Sequence, residues 1–235
     1  MKYDFTLDMR ERRSHTMILK KIAPGSAVLE MGCATGIMTK YMSGVLGCRV
    51  VVCDVDAEAL KTARRYADGC WQGDLETMGW ADEFAGMRFD YILCADVLEH
   101  LRDPGAVLER TAGLLKEEGS VLLSMPNIAH DSVVYGLLQN RFEYTGVGLL
   151  DRTHLRFYTY PSLIKLCLDA GYSPVEEDAV YMEAKPPTGL PNQVTRRQYG
   201  RVFQFVFELK KTSHVREKGI AVVRKIKEYP DDQRG

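Results

Sequence analysis

The chain has 235 residues, of which 46% are hydrophobic and 27% charged, and this length and composition fit one globular α/β domain with a sizeable core. Its 31 Lys and Arg residues balance 32 Asp and Glu residues, so the formal net charge is −1. A charge this small argues against a protein that overall charge draws to nucleic acid or to an anionic membrane.

The cysteines and the amino-terminal residues give expectations about compartment. The six cysteines are spaced singly, without a Cys-x-x-Cys pair or a Cys/His cluster of zinc spacing, so we expect reduced, buried thiols. Residues 1–5 lack the apolar stretch of a signal peptide, and no later segment has the apolar length of a membrane span. The sequence therefore predicts a cytoplasmic protein with no membrane partner.

The first third of the chain alternates between β-branched runs and helical segments. Strands are predicted at residues 27–31 and 50–54, and helices at 36–46 and 57–66. Asp56 precedes the second helix in the position of an N-cap. This βαβ order predicts a parallel sheet with helices on its faces.

The same alternation continues towards the carboxyl end. Strands are predicted at residues 89–95, 120–125 and 202–209, and helices from Pro104 to near Gly119 and at 161–170. Asp103 supplies an N-cap followed by proline at the first helical position. Pro126 ends the strand before it because proline cannot donate to a central ladder.

Residues 127–160 break this pattern. Aromatic, glycine and charged residues mix there, and neither a period of 2 nor one of 3.6 is sustained. We interpret residues 1–235 as a single domain in which residues 127–160 form a lid-like insertion over the edge of the sheet, after the fifth strand.

The segment at residues 30–36, Glu-Met-Gly-Cys-Ala-Thr-Gly, joins the first strand to the first helix. Small residues at this turn let a charged ligand approach the backbone, and the following helix offers free N–H groups to an anion. Nicotinamide and flavin enzymes use Gly-x-Gly-x-x-Gly here. This chain instead has Gly-x-Ala-x-Gly, with Glu30 two residues before Gly32.

This spacing resembles the first motif of class I S-adenosylmethionine-dependent methyltransferases, apart from Ala34, where many members have glycine. The resemblance continues in register to about Gly171. The segments at 126–130, 140–144 and 149–158 are similar to a bacterial subgroup that methylates polysaccharides, sugars and antibiotic-type small molecules.

The resemblance implies a Rossmann-like, doubly wound sheet of seven mostly parallel strands, with the last strand antiparallel and helices on both faces. It implies S-adenosylmethionine as cofactor and S-adenosylhomocysteine as product. The residues implied to bind the cofactor are Glu30, Gly32, Ala34, Gly36, Asp54, Val55, Asp74, Leu75 and Ala95.

Two of these assignments have alternatives. Asp54 ends the second strand, where a carboxylate can accept both ribose hydroxyls. Asp56 is its rival, although its position suits the helix cap better. In the family, the acidic residue at the position of Asp74 binds the adenine amino group. The alternative is a plain surface turn, because Gly-Asp is a common turn dipeptide.

The acceptor side is expected where residues 96–101 follow the strand at 89–95, because doubly wound sheets bind ligands at the carboxyl ends of their strands. His100 is the first candidate for a catalytic base, and its alternative role is to cap or pack this turn. His130 and His154 are further catalytic candidates, although each could instead satisfy loop carbonyls.

Substrate contacts are predicted for Asn127, Arg152 and Arg156, since the arginine forks could clamp a phosphate or carboxylate. The alternative for the arginines is a salt-bridge network with Glu143 and Asp151. No residues with the spacing of a metal site stand out, so we predict none.

These patterns predict an enzyme that moves a methyl group from S-adenosylmethionine to an oxygen or nitrogen of a small polar acceptor, such as a sugar or nucleotide sugar in polysaccharide biosynthesis. A nicotinamide-dependent oxidoreductase and a non-catalytic S-adenosylmethionine-binding regulatory or scaffold protein are the alternatives. The expected partners are the small-molecule acceptor and, in a homodimer, a second copy of the chain.

Overall fold

The computed structural model describes residues 7–226, apart from the side chains of residues 192 and 193. One sheet runs through the molecule. Its strands are β1 (Ala27–Met31), β2 (Arg49–Asp54), β3 (Gly69–Gln72), β4 (Phe89–Ala95), β5 (Leu115–Pro126), β6 (Tyr172–Tyr181), β7 (Val202–Lys211) and β8 (Val223–Arg224).

Helices connect these strands and line the sheet. They are α1 (Ser14–Leu19), α2 (Ile37–Gly44), α3 (Ala57–Ala63), α4 (Gly79–Glu83), α5 (Pro104–Thr111), α6 (Asp131–Leu138), α7 (Tyr160–Asp169), α8 (Asn192–Thr195) and α9 (Thr212–Lys218). Two short 3₁₀ helices, Leu75–Thr77 and Leu98–His100, follow β3 and β4.

The strands lie in the order β3-β2-β1-β4-β5-β7-β6-β8. All the described pairings are parallel except those of β7, which runs antiparallel to both β5 and β6. The predicted doubly wound, mostly parallel sheet is confirmed. Within residues 7–226 it has eight strands rather than seven, because Val223 and Arg224 add a short strand beside β6.

The sheet is buried on both faces, as a parallel sheet covered by helices must be. Every residue of β1 is buried. Leu29 and Met31 pack on one face with Trp80 and Phe205, and Val28 packs on the other with buried side chains from α1 and α2. All six cysteines are unpaired, and five of them are buried.

The fourth crossover is shorter than the sequence pattern predicts. The helix α5 ends at Thr111, well before Gly119, and β5 already begins at Leu115, which pairs with Phe89. A Cβ at Gly119 would lie 3.0 Å from the carbonyl oxygen of Phe89. The prediction of helix up to Gly119 was wrong because this long-range pairing fixes residues 115–119 as strand.

Residues 127–160 leave the sheet after β5 and return at α7. They contain α6, which the irregular sequence pattern does not predict, and an isolated bridge between Asn127 and Tyr158 holds their two ends together. Among residues 7–226 the longest helix, α7, has 10 residues, and none of the described helices is long and apolar enough to cross a bilayer.

Candidate active site

The carboxyl ends of β1, β2, β3 and β4 meet at one edge of the sheet because these strands are parallel neighbours. Asp54 is the last residue of β2, and the segments that follow β1, β3 and β4 carry the glycine-rich turn, Asp74 and Asp96. Strand order reverses between β1 and β4, and such a switch point is where open α/β sheets bind ligands.

The glycine-rich turn needs glycine at two positions. Gly32 and Gly36 have φ values of 68° and 76°, in the left-handed region. A Cβ at Gly32 would lie 2.6 Å from Val97 Cγ2, and one at Gly36 would lie 2.6 Å from the Cα of Ala63. The first glycine lets the segment after β4 pack on the turn, and the second lets α3 approach it.

Asp54 fixes the shape of this turn. Its Oδ2 accepts the Ala34 backbone N–H at 2.8 Å, and its Oδ1 accepts the Asp56 N–H at 2.9 Å. Asp56 uses its own side chain to cap α3 through the backbone N–H groups of Glu58 and Ala59. The prediction that Asp56 is a helix cap is therefore confirmed, and Asp54 is the carboxylate beside the turn.

Glu30 lies beneath the turn. Its carboxyl group is buried and accepts a hydrogen bond from the Thr39 hydroxyl at 2.5 Å, which ties the end of β1 to α2. Burial raises the pKa of Glu30 to about 8, and the nearby Asp54 charge adds to this effect. Glu30 therefore braces the turn from inside the protein.

The remaining residues predicted to bind the cofactor are placed along the same edge. Val55 is 68% exposed, just after β2. Asp74 is exposed and caps the 3₁₀ helix after β3 through the Glu76 N–H at 2.9 Å, and Leu75 is buried beneath it. Ala95, the last residue of β4, is half-buried.

Asp96 lies at the same edge of the sheet, directly after β4, and was not among the residues selected from the sequence. Its φ of 56° is left-handed, which is strained for a residue other than glycine and is common at functional sites. Its Oδ1 accepts hydrogen bonds from the Ser124 hydroxyl at 2.6 Å and from Gln204 Nε2 at 2.5 Å, and its Oδ2 lies 3.9 Å from His15 Nε2. An acidic residue directly after β4 was the available signal.

His100 and His154 come together where the insertion meets the segment after β4. Their ring centroids are 4.8 Å apart, and His100 Nδ1 lies 3.1 Å from the Thr153 carbonyl oxygen. The carbonyl oxygen of Glu99 accepts the N–H groups of Leu155 and Arg156 at 2.8 and 3.0 Å. These bonds fasten the insertion beside the carboxyl end of β4.

The Glu99 side chain is buried between these histidines and the core. It is 1% exposed, and among the described residues neither of its carboxyl oxygens has a hydrogen-bond partner. Burial, followed by the charge of Asp96, raises the pKa of Glu99 well above its usual value. One ligand atom each from Glu99, His100 and His154 lie within 4.8 Å of one another, so these residues could hold a metal ion.

The structure gives Asn127 and His130 structural partners. The Asn127 amide donates to the carbonyl oxygens of Tyr199 and Val202 at 3.0 and 2.8 Å. His130 caps α6, and its Nε2 lies 2.9 Å from the Met182 carbonyl oxygen. Both side chains have zero exposed surface, so neither is open to an acceptor.

Arg152 and Arg156, the two arginines predicted to contact the substrate, are exposed. The Nε and Nη2 atoms of Arg156 donate to the Arg102 carbonyl oxygen at 2.9 and 2.5 Å. Asp151 accepts hydrogen bonds from the Thr153 backbone and hydroxyl at 2.9 and 2.8 Å. Arg156 therefore holds the segment after β4, and Arg152 is an exposed residue of the insertion.

A methyltransferase-domain family model matches residues 7–177. The chain is 31% identical over 152 residues to a ubiquinone biosynthesis O-methyltransferase of Glaesserella parasuis, covering 61% of this chain and 63% of that protein. It is 31% identical over 173 residues to a protein of the same name from Psychrobacter arcticus, covering 70% of this chain and 65% of that one. The chain thus spans less than two thirds of either relative.

Solved structures share the fold. A 1,6-didemethyltoxoflavin-N1-methyltransferase of Burkholderia thailandensis, with bound S-adenosylhomocysteine, superposes with a TM-score of 0.56 at 20% identity, covering 85% of this chain and 76% of that one. The CcbJ methyltransferase of Streptomyces caelestis gives 0.59 at 14% identity, covering 84% and 88%. With the family match, these likenesses identify the chain as a member of the class I S-adenosylmethionine-dependent methyltransferases.

Proposed function

We propose that this methyltransferase moves a methyl group from S-adenosylmethionine to an oxygen or nitrogen of a small polar acceptor. The observation that carries the proposal is the meeting of the glycine-rich turn, Asp54 and the paired histidines at one sheet edge. Oxygen is favoured because the two relatives described above are named O-methyltransferases. Nitrogen is the second candidate, since the Burkholderia structure is named an N1-methyltransferase.

The donor side is proposed to consist of the turn and the residues that follow β2, β3 and β4. The start of α2 would receive the carboxylate of the donor, Asp54 its ribose hydroxyls, and Asp74 its adenine. The other proposed contacts are Gly32, Ala34, Gly36, Val55, Leu75 and Ala95, with Glu30 bracing the turn. S-adenosylmethionine supplies a methyl group already activated on a sulfonium, so the protein has to align the donor and acceptor and exclude water.

The acceptor side is proposed to lie between the segment after β4 and the insertion. His100 and His154 are half-buried there, and Arg152 extends from the insertion surface where it could meet an anionic group on the acceptor. Asn127 and His130 are buried against the backbone carbonyl groups of Tyr199, Val202 and Met182, so we assign them structural roles. A sugar or nucleotide sugar acceptor, a cytoplasmic location and a homodimer stay predictions from the sequence.

An acceptor screen tests the proposal. The protein would be incubated with methyl-labelled S-adenosylmethionine and separate panels of phenols, sugars, nucleotide sugars and amines, with transfer followed by label and product mass. We expect transfer to one chemical class and loss of transfer in Asp54→Asn. Binding of S-adenosylhomocysteine without transfer to any panel would contradict the proposal and favour a regulatory or scaffold protein. Failure to bind it would count against both.

A further inference from the structure

The carboxyl group of Glu99 is buried without a hydrogen-bond partner among the described residues. A polar side chain that is 1% exposed with no hydrogen-bond partner among residues 7–226 is rare in a native protein. A buried carboxylate without a partner is strongly destabilising, and an ion or a water molecule is its usual partner. The Glu99 carboxyl group therefore requires either a bound cation or a proton to be stable at this position.

The imidazole rings of His100 and His154 lie next to the Glu99 carboxyl group, and backbone carbonyl groups orient both rings. The Nδ1 atoms of His100 and His154 lie 3.1 and 3.2 Å from the carbonyl oxygens of Thr153 and Leu149. A carbonyl accepts only from N–H, so each neutral ring carries its proton on Nδ1 and keeps the Nε2 lone pair. This is the arrangement in which metal-binding histidines are held by their surroundings.

We propose that Glu99, His100 and His154 bind one divalent transition-metal ion, with Zn²⁺ as the model ion. Two imidazoles and one carboxylate suit Zn²⁺, Mn²⁺, Fe²⁺ or Co²⁺, whereas Mg²⁺ prefers an all-oxygen shell. The three ligand atoms lie within 4.8 Å of one another, and bonds of about 2.0–2.2 Å would draw them to within about 3.5 Å by small side-chain rotations.

The site joins two parts of the chain that are distant in sequence. Glu99 and His100 belong to the segment after β4, and His154 belongs to the insertion. A bound ion would reinforce the backbone bonds from Leu155 and Arg156 to the Glu99 carbonyl oxygen. Three protein ligands leave open coordination positions, and an acceptor hydroxyl bound there would lose its proton more readily. This last role rests on the proposed function, whereas ion binding does not.

Calorimetry with untagged, chelator-treated full-length protein tests the site without donor or acceptor. We expect one Zn²⁺ per chain, a visible Co²⁺ absorption band typical of mixed nitrogen and oxygen ligands, and Mg²⁺ affinity lower by at least about 100-fold. Glu99→Gln and His154→Asn should each weaken Zn²⁺ binding by at least about 100-fold. His15→Asn is the matched control, because its imidazole lies near Asp96 and outside the triad.

Binding of S-adenosylhomocysteine is measured on the same samples, which shows that each variant is folded. If Glu99→Gln does not fold, the half-buried His154→Asn carries the test alone. The inference is overturned if folded wild-type protein binds no Zn²⁺, if both ligand variants bind it as the wild type does, or if Mg²⁺ binds equally well. Because neither methyl group nor acceptor takes part, this outcome is separate from the failure of the proposed function.

Discussion

The edge of the sheet that carries the glycine-rich turn and Asp54, here called the donor edge, and the insertion at residues 127–160 hold their functional groups by different means. At the donor edge, Asp54 and the glycine-rich turn follow directly from β2 and β1, and parallel neighbours place them together. In the insertion, His154 is brought to His100 by hydrogen bonds between segments more than 50 residues apart. One site is positioned by regular secondary structure and the other by long-range loop contacts, which should respond differently to substitution.

The largest effect is expected at the donor edge from Gly36→Ala. Gly36 has a φ of 76°, and an added Cβ would lie 2.6 Å from the Cα of Ala63. Strain and overpacking together should lower the free energy of unfolding by about 4 kcal/mol, measured by urea denaturation. The control is Gly47→Ala, where φ is 63° but no atom lies within 4 Å. That variant should lose only about 1 kcal/mol, and equal losses would contradict the close approach of α3.

The insertion should be most sensitive at its buried anchor, Asn127. Asn127→Asp replaces two donors, to the carbonyl oxygens of Tyr199 and Val202, by an acceptor that repels them. We expect a loss of about 3 kcal/mol in thermal or urea unfolding. Asn140→Asp, in an exposed turn, is the control and should change the stability little. A tolerated Asn127→Asp would show that the insertion is not anchored at this residue.

The raised pKa of Glu30 predicts that the stability of the donor edge depends on pH. Its folded pKa is raised from 4.5 to about 8, so the native state holds a proton that the unfolded state releases. Its contribution to stability is fully present below its pKa of 4.5 in the unfolded chain, and it is lost as the pH rises through its folded pKa of about 8. Glu30→Gln should therefore gain about 2.5 kcal/mol of stability relative to the wild type between pH 5 and 7. Melting curves across this range check it, and a constant difference would contradict it.

The smallest effect is expected at Arg156. Arg156→Lys keeps the charge but loses the planar pair of donors to the Arg102 carbonyl oxygen. Because Arg156 is exposed, the stability should fall by less than about 1 kcal/mol. Hydrogen exchange of residues 153–158 should nevertheless quicken, while exchange in β1 stays constant. Arg152→Lys is the control, and the same quickening there would show a general effect of lysine.

Much of the donor edge can be predicted from the sequence because its signals are local. The first strand at residues 27–31 and the Asp103-Pro104 helix start are found as predicted, and Asp56 caps α3. Each depends on a few adjacent residues whose propensities agree with the fold. The same is true of the left-handed glycines in the turn.

The acceptor side is less predictable because its geometry depends on distant contacts. Glu99 lies within a segment that the sequence does single out, but the pattern does not show that its side chain is buried without a partner. His154 has no spacing that links it to His100. The strand β6 is hard to predict because its acidic residues Glu176, Glu177 and Asp178 interrupt the alternation of apolar and polar residues. Ion pairs with distant residues, such as Lys21 and Arg224, stabilise these carboxylates in the strand.

The central claim is that Asp54, at the end of β2, binds the cofactor. Calorimetry of S-adenosylhomocysteine with the wild type, Asp54→Asn and Asp56→Asn tests it most directly, because the two variants remove the same charge two residues apart. We expect Asp54→Asn to weaken binding by about 10- to 100-fold, as loss of a charged hydrogen-bond acceptor would. Asp56→Asn should bind like the wild type, since asparagine caps a helix as well as aspartate does. Equal affinities for the wild type and Asp54→Asn, or no binding by folded wild type, would contradict the claim.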